Sequence, residues 1–220
     1  MLYSTSERVS SELLPYGEVK GDWSDRDVYV IGAGPSLEGF NFGVLDGYTI
    51  GANRSAVVAK TDAMFSLDWK YCVEAHEEIL EYPGEIYMAI MTKHETKFNP
   101  RVTYLKAHRE GSMSTNPAEV IGLNSGYGAV NIAILKGAKK INLLGLDMKL
   151  GAKKHFHGGY EWDRSKGASY NAWARRFKNA KDKIDELGVE ITNYIGPNGS
   201  GLDVYFKSKS LKELDPDYPQ

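Results

Sequence analysis

Short, almost unbroken apolar runs alternate along this chain with stretches whose apolar residues recur every three or four positions. The runs at 28–31, 48–52, 63–67, 85–91, 102–105, 140–144 and 189–192 read as strands. The run at 140–144 has the composition of a strand buried on both faces of a parallel sheet. Segments 69–81, 124–136 and 169–187 carry helical periodicity, and Gly137 and Gly188 stand where helices of this kind stop. Strands that alternate with helices predict the α/β class, with a mostly parallel, doubly wound sheet in a single domain. The polar, irregular residues 1–26 read as an arm or capping segment, 27–206 as the nucleotide-binding catalytic domain, and 207–220 as a surface tail. Residues 149–168 are polar and glycine-rich without period, a long loop of the kind that usually carries function.

Composition narrows the class. The chain has 220 residues, 42% hydrophobic and 25% charged, which suits one well-buried domain and excludes disorder. The single cysteine, Cys72, excludes an intrachain disulfide and a cysteine zinc cluster. No run approaches membrane-spanning length, so membrane insertion is not expected, and a cytoplasmic location is. The net charge of −2 conceals an asymmetry: residues 149–183 hold ten Lys/Arg against three Asp/Glu, about +7, which leaves about −9 elsewhere. A basic stretch of this kind suits a phosphate or an anionic acceptor, and equally the solvated face of a helix.

Two glycine-centred turns carry the candidate chemistry. Gly32-Ala33-Gly34-Pro35-Ser36-Leu37 follows the first strand, and Asn124-Ser125-Gly126-Tyr127-Gly128 opens an apolar helix. A turn between strand and helix offers backbone N–H groups at a helix N-terminus, where phosphate binds. The pair predicts a Rossmann-like nucleotide site, with Gly32, Gly34, Pro35, Ser36, Asn124, Ser125 and Gly126 around the phosphate. A nicotinamide dehydrogenase is disfavoured, because Leu37 replaces the third glycine and the second strand ends on Asn53 rather than a carboxylate.

Asn53, Asp68 and Asp147 each follow an apolar run and so fall at the carboxyl edge of the sheet, where open α/β sheets bind ligands. Asn53 can bond a base or ribose through its amide. Asp147 can orient a sugar hydroxyl, hold a metal, or order the loop after it. In Lys154-His155-Phe156-His157-Gly158-Gly159, either histidine suits proton abstraction from an acceptor hydroxyl. His157 is favoured, since Gly158 and Gly159 let the backbone turn it inward. Lys149, Lys153 and Lys154 supply positive charge for the phosphate or the acceptor.

Residues 31–37, 124–129 and 137–148, with the ending 193–213, resemble the family of 6-hydroxymethylpterin diphosphokinase-like proteins. The same framework is similar to bacterial lipooligosaccharide sialyltransferases, which use CMP-sialic acid, over about residues 28–150. That likeness implies a GT-A-like variant of the fold, and that Gly34, Asn53, Ser125 and Gly126 line the nucleotide. It also implies a catalytic histidine after the strand-end Asp147, which here is His155 or His157. Met148-Lys149 stands where the sialyltransferases place a tyrosine that steadies the leaving phosphate.

The leading expectation is therefore a glycosyltransferase with a nucleotide-sugar donor. It inverts through a histidine base, needs no obligatory metal, and acts on a glycan or other hydroxyl compound, a modified nucleobase included. The alternative is a pyrophosphokinase in which Asp68 and Asp147 hold Mg2+ and ATP gives up diphosphate to a hydroxymethyl group. A non-enzymatic nucleotide-binding module is third.

Overall fold

The computed structural model describes residues 16–90, 99–151, 153–158 and 167–219. Strands β1 (Val28–Ile31), β2 (Tyr48–Ala52), β3 (Ala63–Ser66), β4 (Glu85–Ile90), β5 (Val102–His108), β6 (Glu119–Ile121), β7 (Lys140–Leu144), β8 (Glu190–Ile195) and β9 (Lys207–Ser210) form one sheet. Its order is β6-β5-β4-β3-β2-β1-β7-β8-β9, and every neighbouring pair runs parallel. The winding reverses at β1, whose two neighbours are β2 and β7, so the switch point lies at the carboxyl ends of β1 and β7. Gly32 and Gly34 follow the first of these strands, and Gly145 follows the second.

Side-chain alternation assigns the two faces. Val28 and Val30 of β1, and Ala63 and Phe65 of β3, enter one core with α4 (Ser125–Leu135) and α5 (Gly167–Glu186). The alternate residue Met64 enters a second core under α1 (Arg54–Ala59), α2 (Trp69–Glu74) and α3 (His76–Glu81). Tyr29 and Ile31 enter a third on that same far face. Helix α4 is apolar almost all round and is buried along most of its length. Helix α5 instead buries one stripe, Ala174, Phe177, Ala180 and Ile184, and leaves its charged residues on the other side.

Four expectations change. The segment 69–81 is two short helices broken at Ala75, not one. Residues 207–219 are not a surface tail: β9 pairs with β8, Ser210 and Glu213 form a capping box, and Leu211 and Tyr218 are buried. The sequence Lys-Ser-Lys-Ser hid this strand, because a polar edge strand lacks the apolar alternation that announces an inner one. The short elements α1 and β6 were likewise unmarked. Of the expected arm, 1–15 lie outside the described residues, while Val19 and Trp23 are buried and Val19 N–H donates to Pro117 O at 2.8 Å.

Candidate functional site

A cleft of about 540 Å³ opens at the carboxyl edge of the sheet, over the ends of β1, β2, β3 and β7. Gly32, Gly34, Pro35, Asn53, Asp68, Asn124, Ser125, Gly126, Asp147, Lys149, Lys154 and His155 all line it, so most sequence candidates do converge. Ser36, Lys153 and His157 are not among the lining residues.

The first glycine turn does not behave as a free anion cradle. Gly32 N–H donates to Leu144 O and Gly34 N–H to Gly145 O, both at 2.7 Å. Pro35 has no N–H, and Ser36 N–H donates to Asp147 Oδ2 at 3.0 Å. The expected helix is a single turn of 3-10 helix, Pro35–Leu37. A carboxylate of the chain itself therefore holds the place predicted for phosphate, and Ser36 serves Asp147 rather than a ligand. Gly34 is required by the same contact: a Cβ there would stand 2.5 Å from Asp147 Cγ and 2.6 Å from Gly145 O. Burial raises the Asp147 carboxyl above its ordinary value, against the Ser36 hydrogen bonds and the Lys149 charge. With both oxygens engaged, Asp147 acts as a strap between β7 and the β1 turn.

The second turn stays open. Asn124 caps α4, its Oδ1 accepting from Tyr127 N–H at 2.9 Å. Ser125 Oγ accepts from Leu67 N–H at 3.1 Å and donates to Asn53 Oδ1 at 3.1 Å. This ties the ends of β3 and β2 to the start of α4. The first N–H groups of a helix have no intrahelical partner, and Ser125 and Gly126, the first two residues of α4, line the cleft. Asn53 adopts φ +54, ψ −135, a conformation costly for any side chain. Its Oδ1 is taken by Ser125, so the amide NH2 is what it offers a ligand. Asp68 caps α2, Oδ1 accepting from Lys70 N–H at 3.0 Å and Tyr71 N–H at 3.2 Å.

The loop after β7 crosses back over the first turn, Phe156 N–H donating to Ala33 O at 3.0 Å. His155 thereby reaches the cleft. His157 stacks on it, centroids 5.2 Å apart and rings 7° from parallel. Burial, then the charge of His155, pushes His157 down to about 4, so it is neutral near pH 7. The basic segment divides. Lys149, whose Nζ bonds Asn198 O, and Lys154 line the cleft. Lys153 pairs with Glu38 at the surface, and Lys181 and Lys183 pair with Asp185 and Glu186 along α5. Arg164 and Lys166 fall in 159–166, outside the described residues.

Three aromatic residues of the wall were not singled out in the sequence: Trp69 from α2, and Tyr170 and Trp173 from α5. Aromatic positions at helical spacing read as core; only their place in the first two turns of helices that follow a strand end or the long loop could have marked them. Among the described residues, no group of three or more His, Cys, Asp or Glu is placed to hold a metal. No helix among them is long and apolar enough to cross a membrane.

No protein-family model matches the chain, and comparison with curated proteins finds no relative. Solved structures do resemble it. A MAf glycosyltransferase from Magnetospirillum magneticum AMB-1 superposes with TM-score 0.57 at 13% identity, over 94% of this chain and 38% of that one. The sialyltransferase CstII from Campylobacter jejuni, in complex with cytidine-5'-monophosphate, superposes with TM-score 0.52 at 14% identity, over 86% of each chain. At such identities the likeness establishes the shared α/β fold. The framework similarity to the sialyltransferases thus recurs at the level of fold, whereas the diphosphokinase-like resemblance gains no support.

Proposed function

We propose that the protein is a glycosyltransferase that takes a nucleotide-sugar donor in the cleft and transfers the sugar to an acceptor hydroxyl. The observation that carries this reading is the convergence, in one cleft, of an open helix N-terminus, a strained Asn53, two lysines and a histidine. The phosphate lies on the N–H groups of Ser125 and Gly126, with the α4 dipole behind it. Asn53 donates to the ribose or base. Lys149 and Lys154 offset the charge that grows on the leaving phosphate. His155, rather than His157, removes the acceptor proton, and attack from the side opposite the leaving group inverts the anomeric centre. The neighbours of the same fold are glycosyltransferases by name, which favours this chemistry.

The same site argues against the pyrophosphokinase alternative. Asp147 has both oxygens bonded to Ser36, and Asp68 commits Oδ1 to the α2 cap, so the pair is not arranged as an open two-carboxylate magnesium site. No obligatory metal is part of the proposal. The test is a panel of nucleotide sugars with simple hydroxyl acceptors, scored by nucleotide release with and without chelator. Release that survives chelation and is lost in His155→Ala supports the reading. Turnover of ATP with magnesium, and none of any nucleotide sugar, would overturn it.

A further inference from the structure

We infer that Trp69 is the platform on which the base of the bound nucleotide stacks, an assignment that rests on the nucleotide-sugar reading above. Three of the four tryptophans are described, and their surroundings differ. Trp23 lies against Tyr48, centroids 5.1 Å apart, and carries the Lys136 ammonium 4.7 Å from its ring centre. Trp173 packs edge-on to Tyr170 at 5.2 Å. Trp69 has neither an aromatic nor a cationic partner among the described residues, and its Nε1–H is buried there without an acceptor. A buried donor without a partner is costly, and phenylalanine or leucine would fill the same space without it. Core packing alone therefore does not account for an indole at this position.

Its placement supplies the account. Trp69 is half-buried; one side rests on the core under α2 and the other forms cleft wall. The Asp68 cap fixes the first turn of α2 and so holds the ring where it is. Leu67 N–H is bonded to Ser125 Oγ, and Ser125 to Asn53, so the chain runs from the phosphate and ribose anchors to Trp69 in two residues. Two residues span at most about 7 Å, roughly one ribose. A nucleotide whose phosphate sits at α4 and whose sugar faces Asn53 brings its base to this ring. Tyr170 and Trp173 of α5 line the same cleft, and Trp173 packs against the core on the opposite face of the sheet.

The experiment compares wild type, Trp69→Leu and Trp69→Phe by calorimetry against CMP, UMP, AMP, GMP and base-free ribose 5-phosphate. Stacking on an aromatic ring gives a nucleotide about 10- to 100-fold in affinity. Trp69→Leu is expected to lose that factor for the tightest nucleotide and leave ribose 5-phosphate unchanged, and Trp69→Phe to restore most of it. Equal losses for nucleotide and ribose 5-phosphate would make Trp69 a merely structural residue and overturn the inference. So would a leucine variant that binds the nucleotide as wild type does. Wild-type protein that binds no nucleotide at all brings down the nucleotide-sugar reading as well, which tells the two failures apart.

Discussion

Ser36 and Asp147, 111 positions apart, are joined through both oxygens of one carboxylate: Ser36 N–H reaches Oδ2 at 3.0 Å and Ser36 Oγ reaches Oδ1 at 2.5 Å. The bond links the turn after β1 to the turn after β7, across the switch point that defines the cleft. Tyr218 OH adds a bond to Ser36 O, so the end of the chain braces the same turn. A strand-end aspartate that invites a catalytic role is here the fastening of the site.

That arrangement fixes what its removal does. Asp147→Ala removes the partner of two half-buried donors and is expected to cost about 1–3 kcal/mol of stability. Ser36→Ala removes only the hydroxyl and costs less, and the double variant should fall short of the sum, because each change removes part of one interaction. Denaturant unfolding of the four proteins measures the coupling. Strict additivity would show that the hydroxyl arm of the strap contributes nothing.

Gly34 and Gly126 both line the cleft but respond to a methyl group for different reasons. At Gly34 the added Cβ meets Asp147 and the Gly145 backbone, which cannot retreat, so Gly34→Ala is expected to destabilise the fold by about 1–3 kcal/mol. At Gly126 the nearest atoms are the Asn124 and Leu146 side chains at 3.3 Å, which can yield. Gly126→Ala should therefore keep its melting temperature within a few degrees and lose nucleotide affinity. Thermal unfolding with and without CMP separates the two effects; a Gly126→Ala variant that binds CMP undiminished would remove the phosphate from α4.

The sheet was largely legible because its inner strands are continuous apolar runs, and the turns at Gly32–Leu37 and Asn124–Gly128 announced where the cleft would be. Illegible was which turn is open. The N–H groups of Gly32 and Gly34 are consumed by carbonyls of Leu144 and Gly145, more than a hundred residues on, and only the β1–β7 pairing brings these together. The same distance concealed the bond from Ser36 to Asp147. The glycines after His157 favoured that histidine in the sequence; Phe156, bonded to Ala33, instead brings His155 to the cleft.

Stability should fall with acid through His157. Its folded value is pushed down to about 4, below the ordinary 6.5, so between these pH values the unfolded chain binds the proton and the folded one does not. Stability contributed by the neutral ring is then complete above about pH 6.5 and diminishes as pH drops toward 4. His157→Phe is expected to flatten that part of the stability profile. An unaltered slope between pH 6.5 and 4 would place the titration elsewhere.

The three lysines after β7 should divide as their surroundings do. Lys154→Glu and Lys149→Glu put negative charge on the cleft wall and are expected to weaken nucleotide binding about tenfold and to lower its dependence on salt. Lys153→Glu breaks an exposed pair with Glu38, a contact worth no more than about 1 kcal/mol, and should leave binding unchanged. Calorimetry at two ionic strengths reads both. Equal effects from Lys153 and Lys154 would mean that the loop carries diffuse charge and no built phosphate contact.

The base assignment separates His155 from His157 by kinetics. His155 lines the cleft, whereas His157 lies behind it, ring against ring. Loss of a positioned general base costs about 10²–10⁴-fold in rate, and donor binding by the Ser125–Gly126 amides does not depend on it. His155→Ala is therefore expected to lose that factor in turnover at nearly constant donor affinity. His157→Ala removes only the support under the His155 ring and should cost about tenfold or less, with the smaller loss recovered in His157→Phe, which keeps a flat ring there. If His157→Ala proves the slower of the two and keeps its donor affinity, the roles are reversed, and the loop must rotate about Phe156 when the donor binds.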